Sequence, residues 1–130
     1  MNKIPDIVGD EEILNRRIHP TFCRPDGHIS SQAFRDQNMS VDRASYRDSD
    51  ESLSNYAGFG LAGFQTGKAR MLDQEVVSAK ELLNPAHALV MGHKSKAIAR
   101  KIAESAVWIV SVQSNERTSQ AASGSMRTSS

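Results

Sequence analysis

The sequence predicts a small α+β domain: a mixed or antiparallel sheet, one short helix, and a long C-terminal helix packed across one face. Three observations lead there. Short apolar or β-branched runs at 12–19, 74–79 and 86–92 are bounded by proline, glycine, asparagine or aspartate, the pattern of strands between turns. After Ser95 the apolar residues Ile98, Ile102, Ala106 and Ile109 recur at helical spacing, while Lys96, Arg100, Lys101 and Glu104 fall elsewhere on the wheel. A chain of 130 residues is also long enough to bury one core without disulfide or metal staples.

Taken in order, residues 1–10 read as a loose arm with Ile4 or Val8 as docking points, and residues 11–112 as the folded domain. EILNRRIH (12–19) reads as a strand of about six residues, because the residue before Pro20 is pushed toward extended backbone. Phe22-Cys23 extends toward a second strand, and Pro25-Asp26-Gly27 is a turn in which proline presets φ and glycine accepts positive φ. HISSQAFRD (28–36) is a turn or brief helix leading to Phe34, and 38–46 a strand or a single helical turn. A short helix is expected over about 50–57, with Ser49 as its cap and Asp50 and Glu51 in its first turn, ending near Gly58. The glycines at 58, 60, 63 and 67 lie among Phe59, Leu61 and Phe64. They read as a buried strand with close backbone approaches rather than a dinucleotide loop, which needs a preceding strand and a helix opening at it. A loop or short turn at 70–73 leads to the strand at 74–79. The apolar strand at 86–92 is expected to be central. Beyond about 113 the chain is Ser/Thr-rich without apolar periodicity and reads as a disordered tail over 113–130.

Composition excludes several function classes. Sixteen basic and 15 acidic side chains nearly cancel, which argues against bulk electrostatic binding of nucleic acid. Aromatics make up 5 % of the chain, too few for a base-stacking platform of the single-strand-binding kind. The single cysteine, Cys23, forms no internal disulfide and no multi-thiolate metal site, and reads as a small core hydrophobe. No signal peptide or apolar membrane span is apparent, so the expectation is a soluble cytoplasmic protein with no membrane partner. Four histidines without HxxxH or HExxH spacing predict no metal, and no cofactor is implied.

Two constellations carry candidate chemistry. The first is Gly92-His93-Lys94-Ser95-Lys96 at the start of the last helix, where lysines oppose the positive end of the helix dipole. A bound phosphate or carboxylate, held by backbone N–H groups with His93, Lys94, Ser95 and Lys96, would resolve that conflict; lysines pointing into water are the plain alternative. The second is Arg16, Arg17 and His19 on the first strand. Alternation puts Arg17 and His19 on one face, where they would bind phosphate and supply an acid or base near neutral pH. Solvated charges guarding an edge strand are the alternative there. His87, at the head of an apolar strand, is a satisfied structural residue or a second catalytic group. Ser30-Ser31 with His19 or His28 and Asp42 supplies triad residue types, but no G-x-S-x-G elbow is present.

The runs RRIHP (16–20), PDGHISSQAFRD (25–36), MSVDRA (39–44) and NPAHALVMG (84–92) resemble a group of small uncharacterised bacterial proteins, a resemblance that implies no particular activity. Arg16 or Arg17, then Ser30-Ser31, then Asp73-Gln74-Glu75 follow the order of the Arg, Ser and Glu motifs in ADP-ribosyltransferase-like enzymes, which the chain distantly resembles with altered spacing. The reading that results is a domain that binds or acts on a phosphate-bearing, nucleotide-like small molecule. His19 and His87 would be catalytic, and Arg16, Arg17, His93, Lys94, Ser95 and Lys96 would bind the ligand. The alternative is a non-enzymatic module whose polar surface meets a protein partner. A pocket holding both Arg17 and the helix start would favour the first reading; opposite faces would favour the second.

Overall fold

A computed structural model describes residues 4–112. The strands are β1 (Ile13–Ile18), β2 (Asn38–Arg43), β3 (Gly60–Gln65), β4 (Glu75–Ser78), β5 (His87–Met91) and β6 (Val107–Val110). They form one six-stranded sheet in the order β4-β5-β2-β1-β3-β6, antiparallel at every pairing. The described helices are α1 (Ser49–Ser52), α2 (Thr66–Met71) and α3 (Lys96–Ser105), joined by 3-10 turns at Pro20–Phe22, Ser31–Phe34 and Ala44–Tyr46.

Alternation along the strands sends Leu14, Ile18, Met39, Val41, Ala62, Phe64, Val76, Ala88 and Val90 into one buried layer. On that face α3 packs through Ala99 and Ile102, and the Ser31–Phe34 turn inserts Phe34 edge-on to Phe64 at 6.0 Å between centroids. Two glycines in β3 permit close approach. A Cβ at Gly60 would meet Trp108 Cζ3 at 2.6 Å, and one at Gly63 would meet Asn15 Oδ1 at 2.8 Å. Residues 4–10 hold no helix or strand, yet Val8 is 2 % exposed and buried Arg43 donates to the carbonyls of Pro5 and Ile7.

The expected sheet crossed by one long C-terminal helix is overturned. The molecule is mainly sheet, and α3, its longest described helix, spans ten residues and stops at Ser105. Ala106 turns extended at φ −80° and ψ 145°, and β6 follows at once. Val107, Ile109 and Val110 are β-branched, a class whose restricted χ1 suits a pleated edge. β6 pairs with β3 through Gly63–Val107, Ala62–Trp108 and Leu61–Val110, so Ile109 is 46 % exposed on a strand instead of facing the core from a helix.

Smaller corrections concern where short elements begin and end. Helix α1 is a single turn capped by Asp48, whose side chain accepts from Glu51 N while Glu51 reaches back to Asp48 N. It ends there because Leu53 leaves helical geometry and Asn55 takes φ 69°. Phe22 closes a 3-10 turn rather than starting a strand, and Cys23 makes one isolated bridge to Ile29. Thr66–Met71, expected as the end of a strand and a loop, is α2. Its first residues are anchored by Thr66 N and Oγ1 on the Glu12 carbonyl and by Gly67 N on Asp10 O. β1 falls on the residues expected, and β5 is interior, flanked by β4 and β2.

One irregularity positions everything that follows. β1 pairs with β3 along its whole length, from Ile13–Gln65 to Ile18–Gly60, but with β2 only through Leu14–Arg43 and Asn15–Asp42. β2 stays with β5 throughout, from Asn38–Met91 to Asp42–His87. The two central strands therefore part just where Arg16 and Arg17 leave β1.

Candidate functional site

A cavity of about 450 Å3 opens at that parting, lined by Arg16, Arg17, His19, Phe22, Ala33, Ser40, Tyr56, Phe59, Glu81 and His87. Arg16 takes the place of the missing ladder. Its Nε donates to Ala33 O of the Ser31–Phe34 turn at 3.1 Å, Nη1 to Ser40 O of β2 at 3.0 Å and Nη2 to the Asp36 carboxylate at 2.9 Å, so one guanidinium bridges the separated strand and the turn beside it.

Arg17 is held differently. Its Nη1 donates to Asp42 Oδ2 at 3.2 Å, and its guanidinium carbon lies 4.3 Å from the centroid of Tyr56. Asp42 is fully buried and is the knot beneath the cavity floor. Ser52 Oγ donates to Oδ2 at 2.7 Å, Asn84 Nδ2 to Oδ1 at 2.8 Å, and Arg47 Nε stands 3.7 Å away. One carboxylate thus ties α1, the β4–β5 connection and Arg17 to β2. Arg17 carries five N–H donors, of which Nη1 bonds this carboxylate.

The two histidines present opposite ring nitrogens. His19 Nδ1 accepts from Thr21 N at 3.0 Å and lies 2.8 Å from Thr21 Oγ1; its ring meets Phe59 edge-on at 5.0 Å and Phe22 at 6.4 Å. A backbone N–H only donates, so the hydrogen of the neutral ring sits on Nε2. His87 Nδ1 lies 2.8 Å from Ala79 O, with Glu81 Oε2 at 3.8 Å. A carbonyl only accepts, so this ring carries its hydrogen on Nδ1 and its lone pair on Nε2.

The structure divides the residues named from sequence. Arg16, Arg17, His19 and His87 come together; the helix start does not join them. Ser95 is spent as the cap of α3, its Oγ accepting from Ile98 N at 3.1 Å. Lys94 is 2 % exposed, and its Nζ donates to the carbonyls of Val90 at 2.9 Å and of Gln37 and Gly92 at 3.2 Å each. All three ammonium donors are therefore committed, and burial pushes its pKa down from 10.5 to about 8, with Arg16 adding to the fall and Asp36 opposing it. His93 is exposed, with its carbonyl bonded to Gln74 Nε2. Lys96 lines a separate cleft of about 320 Å3 with Arg24, His28, Ser31 and Arg100. Glu75, the last residue of the ADP-ribosyltransferase-like order, lines a third, of about 380 Å3, beside Asn38 and Met91. The Arg, Ser and Glu elements of that resemblance thus face three different cavities.

Asp42, Tyr56 and Phe59 gained no ligand-binding role from sequence, although aromatics are few enough that two within four residues were a usable signal. Among the described residues no group of three or more His, Cys, Asp or Glu could hold a metal ion, and no helix is long and apolar enough to cross a membrane. No family model matches the chain, and no curated protein or solved structure shows significant similarity to it.

Proposed function

We propose that the cavity between β1 and β2 binds a phosphate-bearing, nucleotide-like ligand. The observation that carries this reading is convergence: Arg16, Arg17, His19 and His87 line one cavity together with the rings of Phe22, Tyr56 and Phe59. Arginine's planar fork matches phosphate oxygens, a neutral imidazole adds an N–H, and flat aromatic rings accept a base without demanding its identity. A calorimetric titration with adenosine monophosphate tests it. The wild type binds, and its thermal midpoint rises with ligand excess. Arg17→Lys keeps the charge but loses the fork and the stack on Tyr56, and weakens binding by about tenfold or more. Asp42 keeps its bonds to Ser52 and Asn84, so that variant remains folded. No binding by the wild type, or equal affinity in the variant, rejects the reading.

A second reading, a protein-interaction module, is favoured by Leu82 and Leu83, 97 % and 90 % exposed at the tip of the two-residue turn between Glu81 and Asn84. It predicts concentration-dependent self-association in light scattering that the double variant Leu82→Ser, Leu83→Ser abolishes. A monomer at every concentration removes that reading in its self-associating form.

A further inference from the structure

Resting on the binding reading above, we infer that the cavity is a hydrolytic site, with His87 as general base activating water against the phosphoanhydride of a nucleoside diphosphate. Three features of the geometry lead there. First, the Ala79 carbonyl fixes the His87 hydrogen on Nδ1 and leaves Nε2 as a lone pair on a ring that lines the cavity. Second, Glu81 Oε2 stands 3.8 Å from the same Nδ1, so the imidazolium formed when Nε2 takes a proton meets an anion and a carbonyl on its far side. The base is thus oriented by groups that also stabilise its charged product. Third, Thr21 N donates to His19 Nδ1, so the hydrogen that this ring offers to a ligand is the N–H at Nε2.

The third feature selects the leaving group. An alkoxide leaving group needs an acid, whereas Arg17 and the His19 Nε2–H are hydrogen-bond donors suited to an anion. A phosphate leaves as an anion and needs only electrostatic stabilisation, which Arg17 and the His19 N–H provide. In the step, His87 Nε2 removes a proton from water, and the water oxygen forms a bond to the terminal phosphorus. The bridging P–O bond breaks with its electron pair passing to the leaving nucleoside monophosphate. The products are inorganic phosphate and nucleoside monophosphate, and His87 returns its proton to solvent. Glu81 acts through His87 and is a positioning residue. Recognition by stacking makes the site tolerant of the base.

The test uses adenosine diphosphate for turnover, read as phosphate release, and its α,β-methylene analogue for binding, read by calorimetry. The expected result is that the wild type binds the analogue and turns over the diphosphate. His87→Gln keeps the analogue's affinity and loses about 10²- to 10⁴-fold in kcat. If His87→Gln does not fold, His87→Ala with added imidazole serves instead: turnover absent alone and restored by imidazole is expected. Binding of the analogue without turnover overturns the hydrolytic inference and leaves the binding reading standing. Absence of binding overturns both. Turnover undiminished in His87→Gln, or unrestored by imidazole in a folded His87→Ala that binds the analogue, removes His87 as the base.

Discussion

Removing the charge from Glu12 tests how the N-terminal segment is bound to the sheet. Arg43 is fully buried at the end of β2, and its Nε and Nη2 donate to the two Glu12 oxygens at 2.8 Å each. Its remaining contacts are the Pro5 and Ile7 carbonyls and the face of Tyr46 at 4.9 Å. Glu12→Gln leaves the guanidinium buried opposite a neutral amide that retains a single acceptor. Breaking a buried pair from one side costs about 3–5 kcal/mol. The Glu12 side chain is 19 % exposed, so water reaches it and the lower end applies, about 3 kcal/mol. For a chain of this length that corresponds to a fall in thermal midpoint of about 10 °C. The loss is also pH-dependent. Arg43 holds the Glu12 carboxyl below its ordinary 4.5, so the pair contributes fully above that value and its contribution fades as pH falls through the folded-state value. Urea unfolding of wild type and variant, measured at neutral pH and at about pH 3, should give stabilities that differ at the first and approach each other at the second. A neutral-pH difference under about 0.5 kcal/mol, or one unchanged by acid, would refute the assignment of Arg43–Glu12 as the clamp on this segment.

Further outcomes follow from burial elsewhere. Ile102→Ala removes a side chain with no exposure from the core face of α3 and should cost about 2–5 kcal/mol in chemical denaturation, and a loss near zero would mean the helix is turned the other way. Gly60→Ala drives a Cβ against Trp108 and the Val110 carbonyl and should cost about 1–3 kcal/mol, with a blue or red shift of the Trp108 emission as the ring moves; an unchanged spectrum and midpoint would contradict the close approach. Lys94 binds its proton less tightly folded than unfolded, so the wild type should gain stability on Lys94→Met as pH rises from about 8 toward 10.5; a gap that stays constant or narrows in the other direction would show the ammonium is not desolvated.

The chemistry-bearing residues of β1 and β5 were visible in the sequence, because alternation alone assigns Arg17 and His19 a face opposite Leu14 and Ile18. Ser95 draws notice in the sequence only as part of a candidate anion site, and in the structure its Oγ caps α3. The burial of Lys94 is not legible in the sequence, because sequence distance says nothing of the Val90, Gln37 and Gly92 carbonyls gathering around one ammonium. The end of α3 is illegible for a related reason. Ile98, Ile102, Ala106 and Ile109 fit a helical stripe, yet 107–110 fit strand alternation equally well, and pairing with β3 settles the choice.

By itself, then, the sequence determined which segments present an apolar face, where β1 and β5 run, where α3 begins, and that Arg16, Arg17 and His19 share one short stretch. These are local properties, set by side-chain period and capping chemistry within a few residues. Only the tertiary structure decided that β1 and β2 part after Asn15–Asp42, that Asp42 draws Arg17, Ser52 and Asn84 together, and that His87 and Tyr56 close on the same opening. Each of these depends on how far two strands remain paired and on buried polar groups finding partners from distant segments. That competition is resolved over the whole sheet, where a carboxylate or carbonyl out of reach of water takes whichever donor the packed chain brings to it.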